Sequence, residues 1–294
     1  MRSLLFVPGD SEKKLQKALS SGADALLIDL EDSVAASNKS QARVIAAAFL
    51  AEAKKLKPHP ILFVRVNALD TGLTDADLDA VMVHAPDGIM LPKSLSGQSV
   101  QHLAAKLAVR EAENNLPDGS TGIIAIATET ASSLFHMGTY AGASRRLIAL
   151  TWGAEDLSAD IGAETSRLSD GSLAAPYQLA RTLTLLAATN AGVSAIDSIR
   201  ADFRDAAALR IECEAARRDG FTGKMAIHPA QVATINEIFT PSPAAVAQAE
   251  KIVAAFRAQP DAGVVALDDE MFDLPHLRRA ERILARAELN APST

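Results

Sequence analysis

The chain has little cysteine, few aromatic residues and no excess of positive charge. Cys213 is the only cysteine in 294 residues. No disulfide can form within the chain, and a cysteine-built zinc site is excluded. The surrounding Leu209-Arg-Ile-Glu-Cys-Glu-Ala reads as helix, which makes the thiol a small core or boundary residue and not a nucleophile. Aromatics make up 4% of the residues, too few for a stacking surface that would hold single-stranded nucleic acid. The formal net charge is −7, with no basic arm or stripe, so nucleic acid is not an expected partner. An acidic balance leaves an anionic substrate open, because local cations or a metal set the field of a site. No apolar run approaches the roughly 20 residues of a membrane span. The opening Met1-Arg-Ser-Leu-Leu-Phe-Val-Pro is too short for a signal sequence, and no small-residue cleavage site follows. The expected compartment is the cytoplasm, with no membrane partner. No G-x-G-x-x-G follows the first apolar run and no P-loop occurs, which disfavours dinucleotide and ATP folds.

What is present is a regular alternation. Leu4–Val7, Ala25–Ile28, Ile61–Val64, Gly88–Leu91, Gly122–Thr128, Leu147–Trp152, Val193–Ile196 and Gly223–Ile227 are short continuous apolar runs. Such runs read as strands buried on both faces of a parallel sheet. Between them, Glu12–Ser20, Lys39–Lys55, Asp75–Val83, Val100–Asn114, Ala131–Ala141, Leu173–Asn190 and Phe203–Asp219 have helical spacing, and Pro229–Phe239 follows the last run. Eight strand–helix repeats with no long linker predict an α/β fold, a closed (β/α)8 TIM barrel over residues 1–240; a doubly wound open sheet is the alternative. Residues 241–294 form a C-terminal helical extension that packs on the barrel or on a neighbouring subunit: a helix over Ser242–Arg257, an extended segment over Gly263–Asp273 and a helix over Leu274–Leu289.

In such folds ligands sit at the C-terminal edge of the strands. The residues there are Asp29, Glu31 and Asp32, then Arg65 and Asn67, Lys93, Glu129, Glu155 and Asp156, and His228. Each acid alone is equally a helix cap, but the recurrence points to a site. A rim rich in oxygen donors, without cysteine and with little histidine, suits Mg²⁺ or Mn²⁺. Glu129 and Asp156 are the candidate metal ligands. Arg65 either holds a substrate carboxylate or pairs with Asp29 or Glu31, two compatible roles. Lys93 is either a Schiff-base lysine or, among these acids, an ion-pair partner. His228 is either structural or a ligand. His59, His84, His102, His136 and His276 show no ligand spacing, and Arg145-Arg146 reads as solvated charge.

Seven segments resemble one family: Arg2-Ser-Leu-Leu-Phe-Val-Pro-Gly9, Asp29-Leu-Glu-Asp-Ser-Val34, Val64-Arg-Val-Asn67, Leu91-Pro-Lys93, Glu129-Thr130, Gly153-Ala-Glu-Asp-Leu157 and Gly223-Lys-Met-Ala-Ile-His-Pro229. In this order they resemble the citrate lyase β-like branch of the HpcH/HpaI aldolase superfamily, which includes the malyl-CoA and citramalyl-CoA lyases. The resemblance implies a Mg²⁺-dependent lyase that splits or forms a 3-hydroxyacyl-CoA from a 2-oxo acid and an acyl-CoA. It places Mg²⁺ on Glu129 and Asp156, and the oxo-acid carboxylate on Arg65 and the backbone around Glu155 and Asp156. The thioester would lie against Phe6, Lys17, Ile227 and His228. Met271-Phe-Asp273-Leu-Pro resembles the segment that carries an acid into a neighbouring subunit's site, making Asp273 the acid/base residue of a homotrimer or hexamer. Ser11 stands where the malyl-CoA lyases have an arginine, which leans toward an aldolase on free 2-oxo acids. Malate synthase or malyl-CoA thioesterase activity, and a citrate lyase β chain served by an acyl-carrier partner, also remain open.

Overall fold

The structure is a computed structural model that describes residues 1–268 and 270–289. Eight parallel strands close into a barrel in chain order: β1 (Ser3–Pro8), β2 (Ala25–Asp29), β3 (Ile61–Arg65), β4 (Gly88–Leu91), β5 (Gly122–Ile126), β6 (Leu147–Thr151), β7 (Ser194–Asp197) and β8 (Gly223–Ala226). The ring is sealed by β8 against β1, with Ser3 opposite Lys224 and Leu5 opposite Ala226. Successive strand residues point to opposite faces. One set, including Leu4, Leu27, Phe63, Met90, Ile124, Ala149, Ile196 and Met225, meets in a single apolar cluster inside the ring. The other set, including Leu5, Leu26, Ile28 and Leu62, is buried outside it. Phe63 explains Gly88 on the neighbouring strand: a methyl group there would lie 2.3 Å from the ring.

The helices are α1 (Glu12–Ala18), α2 (Lys39–Ala53), α3 (Thr74–Val81), α4 (Gly97–Glu113), α5 (Ala131–Leu134), α6 (Ala154–Ile161), α7 (Ala175–Ala191), α8 (Ala206–Asp219) and α9 (Pro229–Phe239). Several ends differ from the reading of the sequence by one to three residues, α4 starting at Gly97 and not Val100 among them, and three differences have a local cause. The helix expected over Ala131–Ala141 breaks into α5 and a 3-10 turn over Met137–Tyr140. Ser133 and Thr139 donate to the carbonyls of Thr130 and His136, at 2.6 Å each, and these local bonds compete with the helical ladder. Helix α8 starts at Ala206 rather than Phe203, because the Asp205 carboxylate accepts from the Ala208 N–H and caps it there. Helix α6 was not foreseen: it is only eight residues long, and Gly162 stops it in the left-handed region. Arg146, expected in solvent, is 4% exposed and forms a two-pronged pair with Glu111 at 2.6 and 2.7 Å.

The chain divides into two compact units, Met1–Asn236 and a second beginning at Glu237. The second contains α10 (Pro243–Ala258), a hairpin of β9 (Val264–Leu267) and β10 (Glu270–Asp273), and α11 (Leu274–Leu289). It has its own core, in which Ile252, Val253 and Phe256 meet Val265, Phe272 and Ala280. Among the described residues no helix is long and apolar enough to cross a membrane.

Candidate active site

The alternation that sends Leu27 and Phe63 into the barrel sends Asp29 and Arg65 the same way one step later, at the C-terminal mouth. They are register partners on β2 and β3. Arg65 Nε and Nη2 donate to the two Asp29 carboxylate oxygens, both at 2.7 Å. Burial works to raise the Asp29 pKa, but this pairing outweighs it and holds the carboxyl below its ordinary range. Arg65 Nη1 faces the other way, 3.1 Å from Glu31 Oε2, and the guanidinium lies 4.8 Å from the centre of the half-buried Phe6 ring. The ion-pair reading of Arg65 holds on both edges: Nε and Nη2 are committed to Asp29, and Nη1 faces Glu31 and, at 3.8 Å, Asp32.

Lys93 links the remaining acids. Its backbone is left-handed, φ 49°, uncommon for a residue with a side chain. In that conformation its N–H donates to Glu129 Oε2. Its ammonium lies 2.6 Å from Glu31 Oε1, 3.4 Å from Asp156 Oδ1 and 3.6 Å from Asp32 Oδ2. Burial works to lower the Lys93 pKa, but the Glu31 hydrogen bond and the surrounding carboxylates raise it. A permanently charged ammonium is the opposite of what a Schiff-base lysine needs.

Glu129 is 3% exposed and packs against Gly153, where a methyl group would sit 2.9 Å from Glu129 Cγ. Burial pushes its carboxyl pKa well up; the Lys93 N–H opposes this, and the charges of Asp156 and Glu31 add to it. Glu129 and Asp156 thus meet across Lys93, close enough to repel. Around that point the carboxylates of Asp29, Glu31, Asp32, Glu129 and Asp156 outnumber the cations Arg65 and Lys93. Glu31 Oε2 is buried and has the Arg65 Nη1 ion pair at 3.1 Å but no aligned hydrogen bond. Excess negative charge and oxygen-only donors fit a divalent cation of the Mg²⁺ type. Among the described residues no three His, Cys, Asp or Glu side chains are grouped as a full metal cage. That also fits Mg²⁺, which takes one or two carboxylates and fills its other positions with water and substrate oxygens.

The remaining candidates fall in three places. Phe6 lies on β1, and Ile227 and His228 directly follow β8, its neighbour. His228 stacks on Phe203 with ring centres 4.3 Å apart. Lys17 is exposed in the last turn of α1, and Glu155 is exposed in the first turn of α6. Asp273 belongs to the second unit, at the end of β10, with His276 Nδ1 2.5 Å from its Oδ1.

Reading strand ends missed Asp197, although β7 ends on it. It points outward and accepts from Trp152 Nε1 at 2.8 Å and from the buried Lys224 at 2.9 Å. Burial works to raise its pKa, and Lys224 and Arg181 outweigh this and lower it. The pair borders a cavity of about 730 Å³ that also touches α7 and α8. There Glu212 is shared by Arg167, Arg200 and Lys224 at 2.9, 2.6 and 3.4 Å, so these cations are already matched. Cys213 is fully buried and its thiol is pushed up to about 12, which leaves it inert.

The sequence and fold have close parallels. A family profile described as HpcH/HpaI aldolase/citrate lyase matches residues 2–229. A (3S)-malyl-CoA thioesterase of Cereibacter sphaeroides is 35% identical, covering 98% of this chain and 94% of its own. A mitochondrial citramalyl-CoA lyase of Homo sapiens is 33% identical over 97% of this chain and 85% of its own. The crystal structure of CitE from Mycobacterium tuberculosis in complex with magnesium, acetoacetate and coenzyme A is 30% identical, covers 98% of each chain and superposes with a TM-score of 0.77.

Proposed function

Because the chain belongs to the HpcH/HpaI aldolase/citrate lyase family, we propose that the barrel mouth is the active site of a Mg²⁺-dependent carbon–carbon lyase acting on 3-hydroxyacyl-CoA thioesters. The products of cleavage are a 2-oxo acid and an acyl-CoA, with malyl-, citramalyl- and citryl-CoA as the candidate substrates. The observation that carries this reading is the buried Glu129, held by the Lys93 N–H beside the Asp156 carboxylate. Glu129 and Asp156 hold Mg²⁺, which supplies a Lewis acid for the 2-oxygen of the acid half. Arg65, oriented by Asp29, exchanges its Nη1 contact with Glu31 for the acid's carboxylate. The N–H groups at the open start of α6, around Glu155 and Asp156, are donors for the same acid. Phe6, Lys17, Ile227 and His228 take the thioester.

In cleavage the 2-hydroxyl gives its proton to water as its oxygen becomes the 2-oxo group, the C–C bond breaks and its electron pair passes to the thioester as an enolate, and Asp273, in its protonated form, returns a proton to that carbon. In condensation the ionised Asp273 removes that α-proton, the enolate carbon attacks the 2-oxo carbon, and the oxygen that receives the carbonyl pair takes a proton from water. Asp273 comes from the second unit, of the same chain or of a neighbouring copy in a trimer-based, cytoplasmic enzyme. Residues 1–240 act as the barrel and 241–294 as the extension that delivers it.

The test is a screen of malyl-, citramalyl-, methylmalyl- and citryl-CoA with Mg²⁺, followed by thioester product. Activity should vanish with EDTA and return with Mg²⁺. Glu129→Ala and Asp156→Ala should each abolish turnover while leaving the fold intact; a wild-type rate from either refutes the metal assignment. The 35% identical malyl-CoA thioesterase favours one second reading, hydrolysis at the same mouth. It would show as malyl-CoA giving free CoA and malate, with no glyoxylate.

A further inference from the structure

Helix α11 begins in an unusual way. Asp273 stands immediately before it, and the His276 backbone N–H, in the first turn, points at Asp273 Oδ1 from 3.4 Å. That is the ordinary way an aspartate caps a helix. The His276 ring adds a second contact to the same oxygen, with Nδ1 at 2.5 Å. The Asp273 N–H also points at Nδ1, from 3.3 Å; the much shorter contact is to a carboxylate, which only accepts, and it puts the hydrogen on Nδ1. The ring is itself fixed: Phe272, buried in the second unit's core, meets it edge-on at 5.5 Å between centres. Pro275 between them fixes a backbone angle, and the start of a helix tolerates it. Both contacts converge on Oδ1 and leave Oδ2 turned outward, on a side chain that is 49% exposed.

We propose that His276 is the positioning residue of Asp273: it grips Oδ1 and leaves Oδ2 as the oxygen that gives or takes the proton at the thioester α-carbon. The inference rests on Asp273 being the acid/base residue. The division of labour has a physical reason. A freely rotating carboxylate would present either oxygen at any angle, whereas proton transfer at carbon needs one oxygen at a fixed distance and direction. A clamp of rigid ring and backbone amide supplies that direction without occupying the reacting oxygen. The proton balance is simple. In condensation the α-carbon's proton moves to Oδ2 as the C–H pair enters the thioester enolate; in cleavage the same proton returns to carbon. His276 keeps its own hydrogen throughout. The His276 hydrogen bond also holds the Asp273 carboxyl below its ordinary range, so it is ionised and ready as a base.

The test uses the full-length protein loaded with Mg²⁺ and whichever of the four thioesters it turns over fastest. Asp273→Ala is measured first; full turnover there removes the reading of Asp273 and this inference with it. With Asp273→Ala inactive, His276→Ala should lower kcat by about 10²-fold, leave KM for the thioester unchanged, and move the acid limb of the kcat profile to higher pH. The limb moves up because the carboxylate loses the donor that keeps it ionised. His276→Asn, whose amide nitrogen can replace the Nδ1 donor, should recover most of kcat and most of the limb's position. Wild-type kcat and an unmoved limb in His276→Ala overturn the inference while leaving Asp273 in place. So does a lowered melting temperature as the only change, which would reduce His276 to a helix cap. A loss that His276→Asn fails to rescue also overturns it.

Discussion

Glu111 shows what one side chain contributes away from the chemistry. It lies on α4, 1% exposed, and accepts from both terminal nitrogens of Arg146 and from the backbone N–H groups of Gly119 and Thr121 at 2.8 and 2.9 Å. Burial works to raise its pKa, but these donors outweigh it and take the carboxyl from an ordinary 4.5 down to about 2. A depressed carboxyl stabilises the fold above its unfolded pKa and loses that contribution as pH falls through the folded value. Here the window runs from about 4.5 down to about 2, and the contribution at neutral pH is about 3 kcal/mol. Glu111→Gln removes the buried charge partner of Arg146 and leaves it only the exposed Asp118, 2.9 Å from Nη2, so it should cost about 3 kcal/mol at pH 7. Urea unfolding at pH 7 and pH 3 checks this, because the gap between wild type and variant should narrow on acidification. A gap independent of pH would mean the loss comes from packing and not from charge. No residue pattern announces this pair: Arg145-Arg146 looks like surface charge, and only the fold, pairing Ile123 N–H with the Arg146 carbonyl at the start of β5, brings Arg146 to Glu111 on α4.

At the scale of elements, the β6–α6 junction sets the shape of the site. Gly153 has an ordinary extended backbone, so its lack of a side chain serves space and not conformation. Gly153→Ala should press on Glu129 Cγ and displace its carboxylate. Mg²⁺ affinity, read by calorimetry, should fall by at least about tenfold, about 1.4 kcal/mol, with an unchanged circular dichroism spectrum. Unaltered affinity would show that Glu129 has room to move or does not bind the metal. Elements of this kind were largely legible beforehand. The eight strands were, because strands buried on both faces must be short aliphatic runs, and their polar ends stand out against them. Asp29, Arg65, Lys93 and Glu129 were read from those ends, and the structure brings them together. What was not legible depends on local geometry. The left-handed turn at Lys93 carries no glycine to announce it. The break after α5 depends on which hydroxyls find carbonyls. Asp197 ends a strand too, yet it faces outward, a difference of one residue in phase.

At the scale of the whole molecule, the two units have separate cores, and the proposed chemistry divides between them. A chain ended after Phe239 should unfold cooperatively and bind Mg²⁺ and a 2-oxo acid such as pyruvate, yet give no thioester turnover. Calorimetry and a product assay test this together; full turnover by the shortened chain would remove Asp273 from the reaction. The barrel also sorts its candidate groups around the ring. The acids and cations stand on β2 through β6, while Ile227 and His228 stand after β8 and Phe6 stands on β1. On the proposed reading, bond making belongs to the first group and handle recognition to the second, and the two meet where Arg65 lies over Phe6. If those proposed roles hold, drift in the loops near the seam retunes which carrier or acyl tail is welcomed while the acidic arc stays untouched, and relatives sharing that arc diverge in diet without relearning the reaction.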